Sequence, residues 1–231
     1  MQNLEKLQQW LLYTAHGKYT LLNETKFYQN AVHNVFGYYS LQIGLPELNF
    51  LVGNKINNHY VIGKDIKCNL FNLPFETNSV DLIVCPHALE FMPNYELILN
   101  EFQRVLIPRG KLVITVFNSS SFFGHQIKNN EYLNNATPIK LNIIKKQLNN
   151  LHFSIQGGKF LGYCPIVKNE KTLSRLGFID KIGDRWFPTL ANSFGLVAVK
   201  NITTFIKIKK QPQSYQAKPS PILGTAKICQ K

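Results

Sequence analysis

The chain has 231 residues, 45% hydrophobic and 17% charged, a balance that fits a soluble globular protein and excludes a disordered or fibrous one. Its formal charge is +13, unevenly spread: residues 201–231 hold six lysines and no acid. The cysteines, Cys68, Cys85, Cys164 and Cys229, are far apart with no metal-ligand spacing, so neither a disulfide framework nor a metal site is expected.

The length suits one α/β domain with appendages. The opening MQNLEKLQQWLLYT lacks a signal-peptide apolar core, and no run reaches the ~18 apolar residues of a spanning helix. Together with the unpaired cysteines this reads as a cytoplasmic protein without a transmembrane segment.

In chain order, Leu4–Tyr13 has the spacing of an amphipathic helix, with Gly17 as its interruption. A second helix is expected over Leu21–Phe36 and a first strand over Tyr38–Ile43. Gly44-Leu45-Pro46 ends that strand, and Pro46 or Glu47 suits the start of a short helix. Tyr60–Ile62 and Asp65–Cys68 read as short strands. The clearest unit follows: strand Val80–Cys85, helix Tyr95–Leu106, a Pro108–Gly110 turn and strand Lys111–Phe117. Ser119–Ser121 suits a helix cap, and residues 125–138 a loop. Beyond them come a helix at Ile139–Leu151, a strand at Phe153–Phe160 with a bulge at Gly157-Gly158, a helix at Asn169–Phe178 and a last strand at Phe194–Val199. The fold class is α/β: a doubly wound, Rossmann-like, seven-stranded and mainly parallel sheet with N-terminal helices. The expected division is a helical cap at 1–37, the sheet domain at 38–205 and a basic, disordered tail at 206–231.

Several separated motifs carry a resemblance. Leu73-Pro74-Phe75 with Ser79 and Asp81 precedes the central strand. Pro86-His87-Ala88-Leu89-Glu90-Phe91 follows it, and Arg104-Val105-Leu106-Ile107-Pro108-Arg109-Gly110 ends the next helix. In order and spacing these resemble the class I S-adenosylmethionine-dependent methyltransferases, in particular the type 11 methyltransferase domain. Leu41-Gln42-Ile43-Gly44-Leu45-Pro46, Phe117–Gly124 and Gly183-Asp184-Arg185-Trp186-Phe187-Pro188 are similar to stretches of a group of uncharacterised bacterial proteins in that class, marked by an LQLGLP-type first-strand loop.

The resemblance implies S-adenosyl-L-methionine as cofactor and S-adenosyl-L-homocysteine as product. It places cofactor contacts at Gln42, Gly44, Leu45 and Pro46, at Asn69, Leu70 and Phe71, and at Cys85, Pro86 and His87. The wider class has an acid where Gln42 stands and a Gly-x-Gly-x-Gly loop after it. Here Pro46 and Leu48 replace the later glycines, removing a backbone donor and adding bulk. Tyr19, Tyr38, Tyr39 and Phe91 are aromatic candidates beside a sulfonium, or core residues.

Methyl transfer from a sulfonium is largely a matter of holding the acceptor in line. His87 and Glu90 are candidate general bases. A pocket-shaping loop histidine and a helix N-terminal carboxylate are the alternatives. Asn118, Ser119, Arg185 and Trp186 are expected on the acceptor side. The implied partner is a small-molecule acceptor, with nucleic acid or an anionic surface as a further partner for the lysine tail. The altered glycine loop supports a second expectation: a methyltransferase-like scaffold that no longer turns over.

Overall fold

The computed structural model describes residues 2–165 and 178–201. Helices α1 (Gln2–Tyr13) and α2 (Ala15–Val32) come first. Thr14 sets the break between them, its hydroxyl capping α2 by accepting from the Gly17 amide at 3.0 Å. Gly17 is not the break. It lies in the first turn of α2, where a Cβ would stand 1.9 Å from the Trp10 carbonyl oxygen. Contact between the two helices, not helix termination, is what demands glycine there.

Among the described residues the sheet has six strands: β1 (Tyr39–Ile43), β2 (Asn58–Ile62), β3 (Val80–Pro86), β4 (Leu106–Phe117), β5 (Phe153–Leu161) and β6 (Ser193–Lys200). Their order is β2-β1-β3-β4-β6-β5. The first four run parallel, and β6 is antiparallel to both β4 and β5. The seventh expected strand, Asp65–Cys68, does not form. Gly63 turns the chain at φ 100 and the Asp65 carboxylate accepts from the Val61 amide at 2.8 Å, folding the segment back on β2.

Nor does a helix form at Pro46 or Glu47. Residues 44–57 cross from β1 to β2 through turns, and Leu45, Phe50, Leu51 and Ile56 bury themselves where a crossover helix would pack. The next crossover is regular. β3 reads VDLIVCP and is buried almost throughout, as central parallel strands are. α3 (Tyr95–Val105) turns Ile98, Leu99, Phe102 and Val105 inward at helical spacing. The Pro-Arg-Gly turn survives as a bulge within β4: Val80 pairs with Leu106 but Leu82 with Lys111, and Arg109 takes φ 68. β5 follows α5 (Leu141–Asn150), and its register shifts between Ile155 and Gly157, beside the expected bulge.

Ser121 caps α4 (Phe122–Gln126), accepting from the Gly124 amide at 2.8 Å. Gly183–Trp186 belongs to a helix, α6 (Phe178–Trp186), and a short turn at Pro188–Leu190 leads into β6. The helix expected at Asn169–Phe178 falls, except for Phe178, outside the described residues, as does the tail at 206–231.

The motif residues prove to be fasteners. Glu101 and Arg104 of α3 clamp the Leu73–Phe75 backbone: the Glu101 carboxylate accepts from the Leu73 amide at 2.7 Å, and Arg104 donates to the Leu73 and Phe75 carbonyls. Asp81 accepts from the Tyr38 and Tyr39 amides, fixing the entry of β1. α2 crosses the sheet over β4 and β6, with the Tyr28 hydroxyl 3.2 Å from that of Thr115.

Candidate functional site

At the carboxyl end of β1 two consecutive residues are left-handed, Gly44 (φ 82) and Leu45 (φ 50). The conformation costs a leucine about 1–2 kcal/mol. Two features offset it. The Leu45 side chain is fully buried, and Gln42 holds the loop from within. The Gln42 Nε2 donates to the carbonyls of Gly44, Leu45 and Leu48 at 3.2, 3.1 and 2.7 Å, and its Oε1 accepts from the Phe50 amide at 2.9 Å. A carboxylate has no hydrogen to offer three carbonyls. The amide at this position follows from the local fold.

A cavity of about 240 Å³ opens over the loop. Gly44, Leu45 and Pro46 form one wall and Cys68 through Phe71 another, while Met92 and the α1 residues Leu4 and Glu5 also line it. It lies where strand order reverses, β1 having β2 on one side and β3 on the other. That is the usual ligand crevice of an open α/β sheet.

The expected cofactor residues therefore divide. Gly44, Leu45, Pro46, Asn69, Leu70 and Phe71 meet at the cavity. Gln42, Cys85, Pro86 and His87 are buried away from its lining. None of the four aromatic candidates lines it either; Tyr19, for one, bonds Asp180 of α6.

His87 is the centre of a sealed cluster. It sits at φ 50 directly after β3, fully buried and stacked 4.0 Å from the Phe117 ring. Its Nε2 lies 2.6 Å from Glu24 Oε1 of α2, and its Nδ1 lies 2.6 Å from Glu90 Oε1. Ser193 donates to the same Glu24 oxygen and the Phe117 amide to the same Glu90 oxygen. Burial pulls the imidazole pKa down, but the two flanking carboxylates outweigh it and carry the value up to about 10. His87 is thus held protonated with both nitrogens occupied. It has no free lone pair with which to take an acceptor's proton. Glu24 was not visible as a functional residue in the sequence. Its one signal is a carboxylate on the buried face of α2, at helical spacing from Thr20, Phe27 and Tyr28.

Beyond Met92 lies a second cavity of about 210 Å³, lined by Glu90, Tyr95, Asn135 and Thr137 among others. Glu90 Oε2 is buried and has no hydrogen-bond partner among the described residues. Of the residues expected on the acceptor side, Asn118 spends its amide on the Thr189 and Ala191 carbonyls at 2.8 and 2.9 Å, tying β4 to the turn before β6. The Ser119 hydroxyl is buried without a partner. Arg185 and Trp186 are exposed on α6 and line neither cavity. Among the described residues no group of three or more His, Cys, Asp or Glu side chains is arranged to hold a metal ion, and no helix is long and apolar enough to cross a membrane.

Comparison with known proteins gives a consistent picture. The family described as "Methyltransferase domain", type 11, matches residues 51–114. An uncharacterized protein of Methanocaldococcus jannaschii is 34% identical over 128 residues, 54% of this chain and 52% of that protein. The uncharacterized protein YafS of Escherichia coli is 32% identical over 96 residues, 39% of this chain and 40% of that protein. The match thus spans about half the length, or less, of these curated relatives. A solved SAM-dependent methyltransferase of Thermotoga maritima superposes with a TM-score of 0.61 at 14% identity, covering 85% of this chain and 96% of that one.

The cavity fits the nucleoside half of S-adenosylmethionine. Leu70 and Phe71 offer apolar surface to a purine. Asn69 keeps its Nδ2 free of partners among the described residues while its Oδ1 accepts from the Phe71 amide at 3.0 Å. Apolar walls with few polar groups are what small-ligand sites show.

Proposed function

With the class I methyltransferase fold and a methyltransferase domain across residues 51–114 as its premise, we propose that this protein transfers a methyl group from S-adenosylmethionine to a small polar acceptor. The observation that carries the proposal is the cavity at the reversal of strand order, open despite Leu45 and Pro46 and lined by the loop residues that the family resemblance marks. When bound, the cofactor supplies a sulfonium methyl: the acceptor's lone pair takes the methyl carbon, the carbon–sulfur bond leaves its electron pair on sulfur, and the acceptor gives up a proton.

The chain's own residues supply placement. Leu70 and Phe71 flank the purine, and Asn69 meets its polar edge. Gln42 keeps the Gly44–Pro46 loop in its unusual path. At about 240 Å³ the cavity is smaller than the roughly 300–1,000 Å³ usual for ligand pockets, so seating the whole cofactor requires a wall side chain such as Met92 to move.

The acceptor belongs in the second cavity, which shares Met92 with the first. Its size, about seven waters' worth of volume, restricts it to a small molecule. Glu90 supplies the carboxylate of that cavity; its Oε2, buried and without a partner among the described residues, receives the acceptor's proton once the acceptor displaces the side chains that cover it. His87 acts through Glu90 as a positioning residue, holding its other oxygen.

Calorimetric titration of the full chain with S-adenosylhomocysteine tests the proposal. Saturable micromolar binding is expected. A flat titration at millimolar ligand would remove the cofactor, and with it the enzyme.

A further inference from the structure

The polar half of a sulfonium nucleoside presents the two ribose hydroxyls and the α-ammonium as hydrogen-bond donors beside its α-carboxylate, and a carboxylate is the strongest acceptor for them. The sheet and its loops do not provide one at the first cavity. Gln42 is turned into its own loop, and the Asp65 carboxylate holds the Val61 amide. Gly63 and Lys64 follow β2, and Glu47 is not part of the lining. One carboxylate does line the cavity, and it comes from the N-terminal helix: Glu5.

Contacts on either side hold Glu5 at the cavity. Leu4, the residue before it, lies across the loop, its Cδ1 3.4 Å from where a Cβ on Gly44 would stand. One turn on, Gln8 accepts from the Glu47 amide at 3.2 Å. Leu7, Trp10 and Leu11 anchor the rest of α1 in the core. Glu5 itself makes no hydrogen bond or ion pair among the described residues.

We propose that Glu5 is the carboxylate that binds the donor groups of the cofactor's polar half, a role supplied by a helix outside the sheet. The proposal rests on the methyltransferase reading. α1 is then a wall of the binding site as well as a cover for the core.

The test is titration of the full chain and of Glu5→Gln with two probes. S-adenosylhomocysteine carries both the diol and the α-ammonium; 5′-methylthioadenosine carries the diol alone. A hydrogen bond to a charged group contributes about 1.5–3 kcal/mol, so Glu5→Gln should weaken S-adenosylhomocysteine roughly 10- to 100-fold. An equal loss for methylthioadenosine places Glu5 on the ribose, and an unchanged methylthioadenosine places it on the α-ammonium. If both probes bind the variant as tightly as the wild type, the role of Glu5 is overturned. If the wild type itself binds neither, the methyltransferase reading fails first. Gln is isosteric with Glu at an exposed site, and an unchanged near-ultraviolet circular dichroism signal confirms that α1 stays docked.

Discussion

Gln42→Glu restores the acid that the wider family places at the end of its first strand. A reading by alignment alone expects the change to repair cofactor binding. The structure predicts damage. The new carboxyl would face the carbonyls of Gly44, Leu45 and Leu48 at 2.7–3.2 Å in a fully buried position. Ionised, it would be a buried charge among acceptors, so the folded protein must keep it protonated. Holding a glutamate with an ordinary pKa near 4.3 neutral at pH 7 costs about 3.7 kcal/mol. Its single hydrogen replaces two, which removes at least one bond worth about 1 kcal/mol. The expected loss is therefore about 4–5 kcal/mol at pH 7. The folded-state pKa lies above the unfolded one, so the native form binds the extra proton and the penalty shrinks as pH falls. At pH 5 the proton contribution drops to about 1 kcal/mol and the total to about 2 kcal/mol. Urea unfolding of variant and wild type at both pH values measures this directly. A variant within 1 kcal/mol of wild type at pH 7, or a gap that does not narrow at pH 5, would refute the reasoning.

Two further outcomes follow from buried contacts. His87 titrates near 10 in the folded chain and near 6.5 unfolded. Its contribution is complete below pH 6.5 and declines by about 1.4 kcal/mol per pH unit up to pH 10. Against the triple variant Glu24→Gln, His87→Leu, Glu90→Gln, the wild type should show that extra slope in denaturant titrations; parallel pH profiles would contradict it. Gly17→Ala drives a methyl group into the Trp10 carbonyl, so it should destabilise by about 1–3 kcal/mol or more and alter Trp10 fluorescence, while a variant melting with the wild type would show that the helix joint yields freely.

The central strand–helix–strand unit of the fold is legible in the sequence because its periodicities are strong. The run from Val80 through Phe117 contains an almost wholly apolar strand and a regular amphipathic helix, which both form, and a Pro-Arg-Gly turn, which becomes a bulge inside β4. Legibility fails where one residue type serves two causes. Gly17 looks like a helix breaker, yet its small size serves helix contact while Thr14 ends the helix. Asp65–Cys68 alternates like a strand, yet the Asp65 bond to Val61 turns it back. At the site, local motifs located the Gly44–Pro46 and Asn69–Phe71 walls, because both are continuous stretches of chain. Glu5 and Glu24 were not found: their roles arise only when helices α1 and α2 fold over the sheet, and no local pattern encodes that meeting. Asn118, expected on the acceptor side, is buried and spends its amide on the Thr189 and Ala191 carbonyls.

Positions 24, 87 and 90 share one buried proton-rich knot that joins helix, strand end and neighbouring turn. Loss of the imidazole alone strands two carboxylates without solvent, and loss of one glutamate alone leaves a buried ring N–H without its acceptor, so single changes are costlier than their combination. Across divergent descendants of this chain, these three sites should be inherited or exchanged as a block, with few viable half-way forms.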